Sequence, residues 1–379
     1  MADSNEAQSG TQIECRSSEP FVRWLSELQG TLAITTYQAG KLALLGWRGQ
    51  QASLLMRQFD KPMGLAVGPG KLALATRNEI TLLANAPLLA PDVLPGQPGR
   101  YDALYLPRAT YHTGDLNVHD VGFGADALWF VNSRFSCLSA LSKDYSFVPR
   151  WQPPFITELV PEDRCHLNGL AIVDGKPKYV TALGETNTVG GWREGKANGG
   201  VLLDVETGAV LLRGLSMPHS PRWSQGRLLL LNSGAGELLV YDAATGSAQV
   251  VCALPAYLRG LCVIGRFAVV GMCQIRERHI FGDLPVQKKV ENLLSGLAVV
   301  DLPTGKLVGT FEFTAGCTEI YDVQFLPGAR NVNVLNLTDD ATRQAFTAPE
   351  FSYWLRPDNL IPANEPGSAA RDPEAGPRQ

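Results

Sequence analysis

The sequence predicts an all-β ring, a six-bladed β-propeller, and three observations carry that prediction. One frame recurs six times, at 63–67 (MGLAV), 119–123 (HDVGF), 168–172 (NGLAI), 219–223 (HSPRW), 259–263 (RGLCV) and 321–325 (YDVQF). Each copy is followed by a Gly- or Asp-containing turn and a second apolar run. The copies lie 56, 49, 51, 40 and 62 residues apart, the period range of solenoids and propellers. Long helical patterns are nearly absent, while 38 Gly and 25 Pro are scattered along the chain. Many short strands with regular turns suit a propeller, whose radial repetition leaves only short, protected edges.

Residues 1–18 are polar and are expected to be disordered. The propeller domain is expected over 19–345. It opens on FVRWLSEL (21–28), whose apolar spacing predicts a short helix packed on the body. Three β-rich runs separated by Gly-containing turns follow, and from Lys61 the four-strand unit becomes regular. Blade 4, counting the N-terminal runs as blade 1, shows it well. CHLNGLAIVDG leads to KPKYVTALG, GGVLLDVETG and AVLLRGLSMP, with hairpin chemistry at the DG and ETG turns. The last inner strand, 319–325, is expected to close the ring on the three N-terminal strands. A seventh blade is the alternative, because 332–335 and 32–36 compete for one strand position. Insertions at 84–113 and 276–294 read as lids or partner-contacting loops. The C-terminal extension, 346–379, is disordered by composition from about residue 363.

The aligned columns point to a site. Side chains two residues apart share a strand face. Two and four residues beyond the His219 column, every occupant is apolar: Leu65, Val121, Leu170, Pro221, Leu261 and Val323, then Val67, Phe123, Ile172, Trp223, Val263 and Phe325. Both rings are therefore expected in the core. The reference column is Met63, His119, Asn168, His219, Arg259 and Tyr321; two residues earlier stand Lys61, Asn117, His166, Met217, Tyr257 and Glu319. The face thus turns polar where the inner strands begin, which in a propeller is the mouth of the channel. Between them runs a column of small or acidic residues, Gly64, Asp120, Gly169, Ser220, Gly260 and Asp322.

His119, His166 and His219 fall in the polar columns on consecutive blades. Imidazole is the commonest protein ligand for Zn, Fe and Cu, so a divalent metal is expected there, with Glu319, Asn168 or Tyr321 completing the coordination. Asp120 and Asp322 would fix the imidazole tautomers. Arg259 would anchor a substrate carboxylate or phosphate, with Tyr321 beside it. The bland alternatives are that these groups hydrogen-bond strand ends and channel water, and that Arg259 pairs with Glu319 or Asp322. Asn132-Ser133-Arg134 and Asn232-Ser233, which end second strands on the same rim, read as turn formers.

Other chemistry finds no support. A net charge of −4 over 379 residues argues against a nucleic-acid partner. No basic run exceeds Lys288-Lys289, and no apolar stretch is long enough to span a bilayer, so no membrane partner is expected. The N-terminus does not read as a secretory signal. Seven cysteines without a C-x-x-C pair read as reduced, mostly buried thiols, so a cytoplasmic location is expected. Gly190 to Lys196 (GGWREGK) has phosphate-loop spacing, but Ala197 replaces the hydroxyl residue and no helix is expected after it.

As a whole the chain resembles an uncharacterised bacterial family of β-propellers of unknown function. The resemblance rests on TTYQAGKL (35–42), VHDVGF with VNSRFSCL (118–123, 131–138), CHLNGLA (165–171) and LGETNTVGGWR (183–193). It extends through MPHSPRW with LLNSG (217–223, 230–234), LRGLCVIG (258–265) and EIYDVQFLPG (319–328). It implies the fold and no particular activity. More distantly the chain is similar to gluconolactonase-like and NHL-type propellers. The former hold a divalent metal at the mouth with acidic and Asn side chains; of these only Asn168 and Glu319 are matched here. The leading functional expectation is a metal-dependent enzyme acting on a small polar or anionic molecule at the mouth. The alternatives are a protein- or glycan-binding propeller using the two insertions, and a metal-free His/Tyr acid–base enzyme.

Overall fold

The computed structural model describes residues 12–275 and 282–356. Six antiparallel sheets are arranged as the blades of a propeller. Blade 1 is closed as the repeat predicts: the C-terminal strand Asp322–Pro327 is innermost, and Gly30–Thr36, Lys41–Arg48 and Gln51–Gln58 follow outward. The inner strands of blades 2 to 6 are Leu65–Gly68, Val118–Phe123, Leu167–Val173, Pro218–Ser224 and Tyr257–Ile264.

Among the described residues there is no seventh blade. The run 332–335 was expected to compete for a position in the ring, but Val332–Val334 pairs in parallel with Ala103–His112 on the outer edge of blade 2. That outer strand takes up much of the 84–113 insertion. The rest folds inward: Leu89, Ala90, Val93 and Tyr101 pack with Leu335, Ala345 and Trp354 of the chain's own C-terminal segment. Of the second insertion, 276–281 lie outside the described residues, and α2 (Pro285–Lys289) buries Val286 against the body. The polar N-terminal segment, expected to be disordered to residue 18, instead places Glu14–Ser17 as an extra strand on the edge of blade 6, paired with Lys306–Ala315. The tail from 363 lies outside the described residues.

Local chemistry explains the hairpins. Asp174-Gly175 joins the first two strands of blade 4 with both residues at positive φ (49° and 76°), and Gln225-Gly226 does the same in blade 5 (51° and 75°). Paired left-handed residues match the twist of a two-residue hairpin. In the ETG turn, Asp204 accepts the N–H groups of Glu206 (2.9 Å) and Thr207 (3.0 Å), the local bonding that makes Asp a turn residue.

Six apolar clusters fill the six seams between neighbouring blades. The seam between blades 6 and 1, where the chain closes on itself, carries an additional cover. Helix α1 (Glu19–Glu27) is capped by Ser18, whose hydroxyl accepts the Phe21 N–H, and lies across the outer strands of both blades with Phe21, Trp24 and Leu25 buried. The first apolar ring, from Leu65 to Val323, is buried as expected. The second, expected in the core as well, is not: Val67, Phe123, Ile172, Val263 and Phe325 are half-buried and Trp223 is 38% exposed, because this ring reaches the far rim of the channel.

Candidate functional site at the channel mouth

The inner strands do not run straight through the axis. In blades 3 to 6 the pairing of inner and second strand slips by a residue near the reference column. Bulges of this kind re-aim side chains. Where the inner strands of blades 2 to 5 begin, Lys61, Asn117, His166 and Met217 take left-handed φ values of 48°, 54°, 49° and 47°. The same strained backbone recurs in one column of four blades, and strain of this kind concentrates at functional sites. It turns the strand starts toward the axis and forms a cavity of about 230 Å³. His119, His166, His219, Arg259, Tyr321 and Glu319 all line it.

The three imidazoles have one feature in common. His119 Nδ1 is 2.9 Å from the Asn117 carbonyl and 2.8 Å from Ser133 Oγ, and Ser133 gives its proton to the Leu167 carbonyl. Both neighbours of Nδ1 are therefore acceptors, so Nδ1 carries the hydrogen. His219 Nδ1 donates to the Met217 carbonyl at 2.8 Å, with Ser233 Oγ at 3.2 Å. His166 Nδ1 donates to Asp163, at 2.8 and 3.0 Å from its two oxygens. Assigned from this network, Nδ1 is a donor in every ring, and in the neutral rings of His119 and His219 the Nε2 is the lone pair. Burial, reinforced by the neighbouring cations and imidazoles, lowers the pKa of His119 and His219 well below the usual histidine range, so both are neutral at pH 7.

The rings are unequally close. His119 Nε2 and His166 Nε2 are 3.1 Å apart. His219 stands off, its ring centre 6.4 Å from that of His119. Among the described residues no three His, Cys, Asp or Glu side chains converge tightly enough to hold one ion. The expected three-histidine set is thus a close pair with a third imidazole across the cavity.

Two other expected residues are placed elsewhere. Asn168 is buried in structural bonds: its amide donates to the Pro218 carbonyl (2.9 Å) and its oxygen accepts from Thr181 (2.6 Å). It is no ligand at the mouth. Asp120 and Asp322 do not hold the imidazoles either. They lie deeper on the axis, where Arg222 spans them, with Nη1 at 2.7 Å from Asp120 and Nη2 at 3.1 Å from Asp322. Asp120 also accepts the Leu170 N–H, Asp322 the Leu65 N–H, and Arg222 Nε donates to the Leu261 carbonyl. One ionic group therefore ties all six blades together, outside the lining of the cavity.

Arg259 and Tyr321 are where a substrate anchor would be needed. The guanidinium lies 4.0 Å from the Tyr321 ring centre, and both Arg259 Nε and the Tyr321 hydroxyl are buried without a hydrogen-bond partner among the described residues. Burial keeps the Tyr321 phenol protonated by raising its pKa. Two buried donors left without acceptors are costly unless a ligand satisfies them.

Sequence reasoning missed Asp163, Trp192 and the serines. Trp192 packs 4.6 Å from the His166 ring and donates its Nε1–H to Asp163 at 3.0 Å. Ser133 and Ser233, read as turn formers, are the side chains that hold His119 and His219. A signal for them was present: Asn-Ser stands at the same distance after each of these histidines, with the serine fourteen residues on.

The fold and the polar mouth define a six-bladed β-propeller with a lined axial cavity. A family model for a domain of unknown function (DUF4915) matches residues 19–335, and the chain belongs to that family. No curated protein matches the sequence. Among solved structures, the chain is similar to one in a nidogen/laminin complex (12% identity, TM-score 0.49, covering 79% of this chain and 98% of that one). It is also similar to a protein of unknown function from Bacteroides caccae (9%, 0.48, 79% and 99%). A third is a virginiamycin B lyase from Staphylococcus aureus (11%, 0.39, 69% and 96%). Among the described residues no helix is long and apolar enough to cross a membrane.

Proposed function

We propose that the mouth cavity is the active site of a metal-dependent enzyme acting on a small anionic molecule. One observation carries this reading: the Nε2 atoms of His119 and His166 face each other at 3.1 Å. Two bare lone pairs at that separation repel unless something positive lies between them. Metal–imidazole bonds of about 2.0–2.1 Å put neighbouring ligand nitrogens roughly 2.9–3.4 Å apart for octahedral to tetrahedral angles. The pair matches that range. Asp163 behind His166 supplies the carboxylate that commonly orients a metal-bound imidazole. His119 and His166 would be the protein ligands, leaving open positions toward the cavity. A Zn, Fe or Cu ion held there would act as a Lewis acid and would lower the pKa of water. Arg259 binds the substrate's carboxylate or phosphate, the Tyr321 hydroxyl donates to the same group, and the neutral His219 accepts a proton across the cavity.

A second reading has its own support. The 3.1 Å contact is also hydrogen-bond distance, and a hydrogen donated from one Nε2 to the other would make the two imidazoles a metal-free acid–base pair. Metal analysis of the purified protein separates the two. The metal reading expects one equivalent, lost in His166→Ala and retained in His219→Ala. Equal, substoichiometric metal in all three proteins, with activity intact in chelator, would refute it.

A further inference from the structure

We infer that the mouth cavity is one half of a two-part site, and that its substrate is an elongated dianion. The inference rests on the anion-binding role of Arg259 and adds a second anchor. Tyr37 stacks on Tyr321 with ring centres 5.7 Å apart and planes inclined by 27°. Arg259 covers the open face of Tyr321, and Lys61 Nζ lies 5.1 Å from the Tyr37 ring centre. The stack therefore carries a cation on each ring. Arg259 faces the inner cavity, while Lys61 faces an adjoining pocket of about 200 Å³ that shares Tyr37 and Asn117 with it.

That second pocket is basic. Lys61, Arg77 and Arg134 line it together with Asp115. Arg77 is occupied by Asp60 at 2.9 Å and Arg134 by Asp115 at 3.3 Å. Lys61 has no ion-pair partner among the described residues, so the pocket holds one uncompensated positive charge. Lys61 and Asn117 are also two of the left-handed residues that shape the mouth, so the strained column serves both halves. Two cationic anchors separated by a flat aromatic wall fit a linear molecule with an acidic group at each end. His119, its ring centre 5.4 Å from that of Tyr321, stands beside the stack.

The test is calorimetric binding of linear dicarboxylates of increasing length, succinate to sebacate, against their monocarboxylate counterparts. Wild-type protein, Lys61→Gln, Arg134→Gln and Arg259→Gln are compared, with metal content and thermal melts recorded for each. At least one dicarboxylate is expected to bind about tenfold or more tightly than its monoacid. Lys61→Gln is expected to erase that preference while monoacid binding and metal content stay unchanged, and Arg134→Gln to reduce it. Arg259→Gln is expected to abolish binding of both. Monoacid binding without any dicarboxylate preference, or a preference that survives Lys61→Gln, overturns this inference alone. Failure of both acids to bind overturns it together with the anion-anchoring role of Arg259.

Discussion

Replacing Arg222 by Met keeps much of the side-chain volume and removes the charge that compensates two buried carboxylates. In the native protein its guanidinium reaches Asp120, Asp322 and the carbonyls of Leu261, Leu170 and Pro221. Burial works against its charge, but the two carboxylates outweigh burial and hold its pKa above the usual value. Burial lifts the Asp322 carboxyl above the ordinary carboxylate range; Arg222 pulls it down, and Asp120 pushes it up. Breaking a buried ion pair from one side costs about 3–5 kcal/mol. At about 2.1 cal/mol/K per residue, that corresponds to a fall in Tm of roughly 4–7 °C for a chain of this size. The pH dependence follows from the same charges. Without Arg222 the Asp322 carboxyl loses the charge that pulls it down and its folded-state pKa rises further above its unfolded one; a raised acid pKa favours the fold at low pH and loses that contribution as pH rises through it. The deficit is expected to be larger near about pH 8 than near about pH 5. Melts of wild type and variant across that range check both statements. A fall in Tm below about 1 °C, or a deficit independent of pH, would refute this account of the axial ionic group.

Four further outcomes follow from the same geometry. Tyr321→Phe removes a buried hydroxyl without a partner, so chemical denaturation is expected to show unchanged or up to about 1 kcal/mol higher stability while anion affinity falls. Ser133→Ala leaves the Leu167 carbonyl without its donor and His119 with one acceptor instead of two; metal affinity, measured by competition with a chelator, is expected to weaken about 10–100-fold. Gly169→Ala would drive a methyl group into Pro221 across the seam between blades 4 and 5 and into Thr181 of its own blade, and is expected to cost about 1–3 kcal/mol or prevent folding. Phe21→Ala is expected to cost about 3–5 kcal/mol by emptying the cover over the ring closure, read from the denaturation midpoint.

Much of the ring was legible because a repeat forces like positions into like environments. The column Leu65, Val121, Leu170, Pro221, Leu261 and Val323 had to be core, since every copy packs on a neighbour. What resisted was whatever one blade does alone. Glu14–Ser17 and Val332–Val334 are edge strands without a copy elsewhere, and their pairing is set by tertiary contacts that no local pattern records. The site was half legible for the same reason. Column alignment brought His119, His166, His219, Arg259 and Tyr321 to one mouth, but it treats a strand as straight. The bulges are what separate His119, turned into the cavity, from its neighbour Asp120 on the axis below.

The column of small and acidic residues shows what those bulges serve. It alternates strictly: Gly64, Gly169 and Gly260 on the even blades, Asp120, Ser220 and Asp322 on the odd ones. Each odd-blade side chain accepts a backbone N–H from the next blade: Asp120 from Leu170, Ser220 from Gly260 and Asp322 from Leu65. The glycines serve the alternate seams, where each even blade presses on the next odd one; a Cβ on Gly64 would lie 2.9 Å from the Asp120 Cα, and one on Gly260 2.9 Å from the Asp322 Cα. The same alternation places His119, His219 and Tyr321 on the odd blades, one residue before the group that locks each strand to its neighbour. The axial ionic group and the mouth are therefore one construction. A histidine adjacent to a pinned bulge has little freedom to swing; that rigidity fixes His119, while Asp163 fixes His166, and together they hold the two imidazole nitrogens 3.1 Å apart.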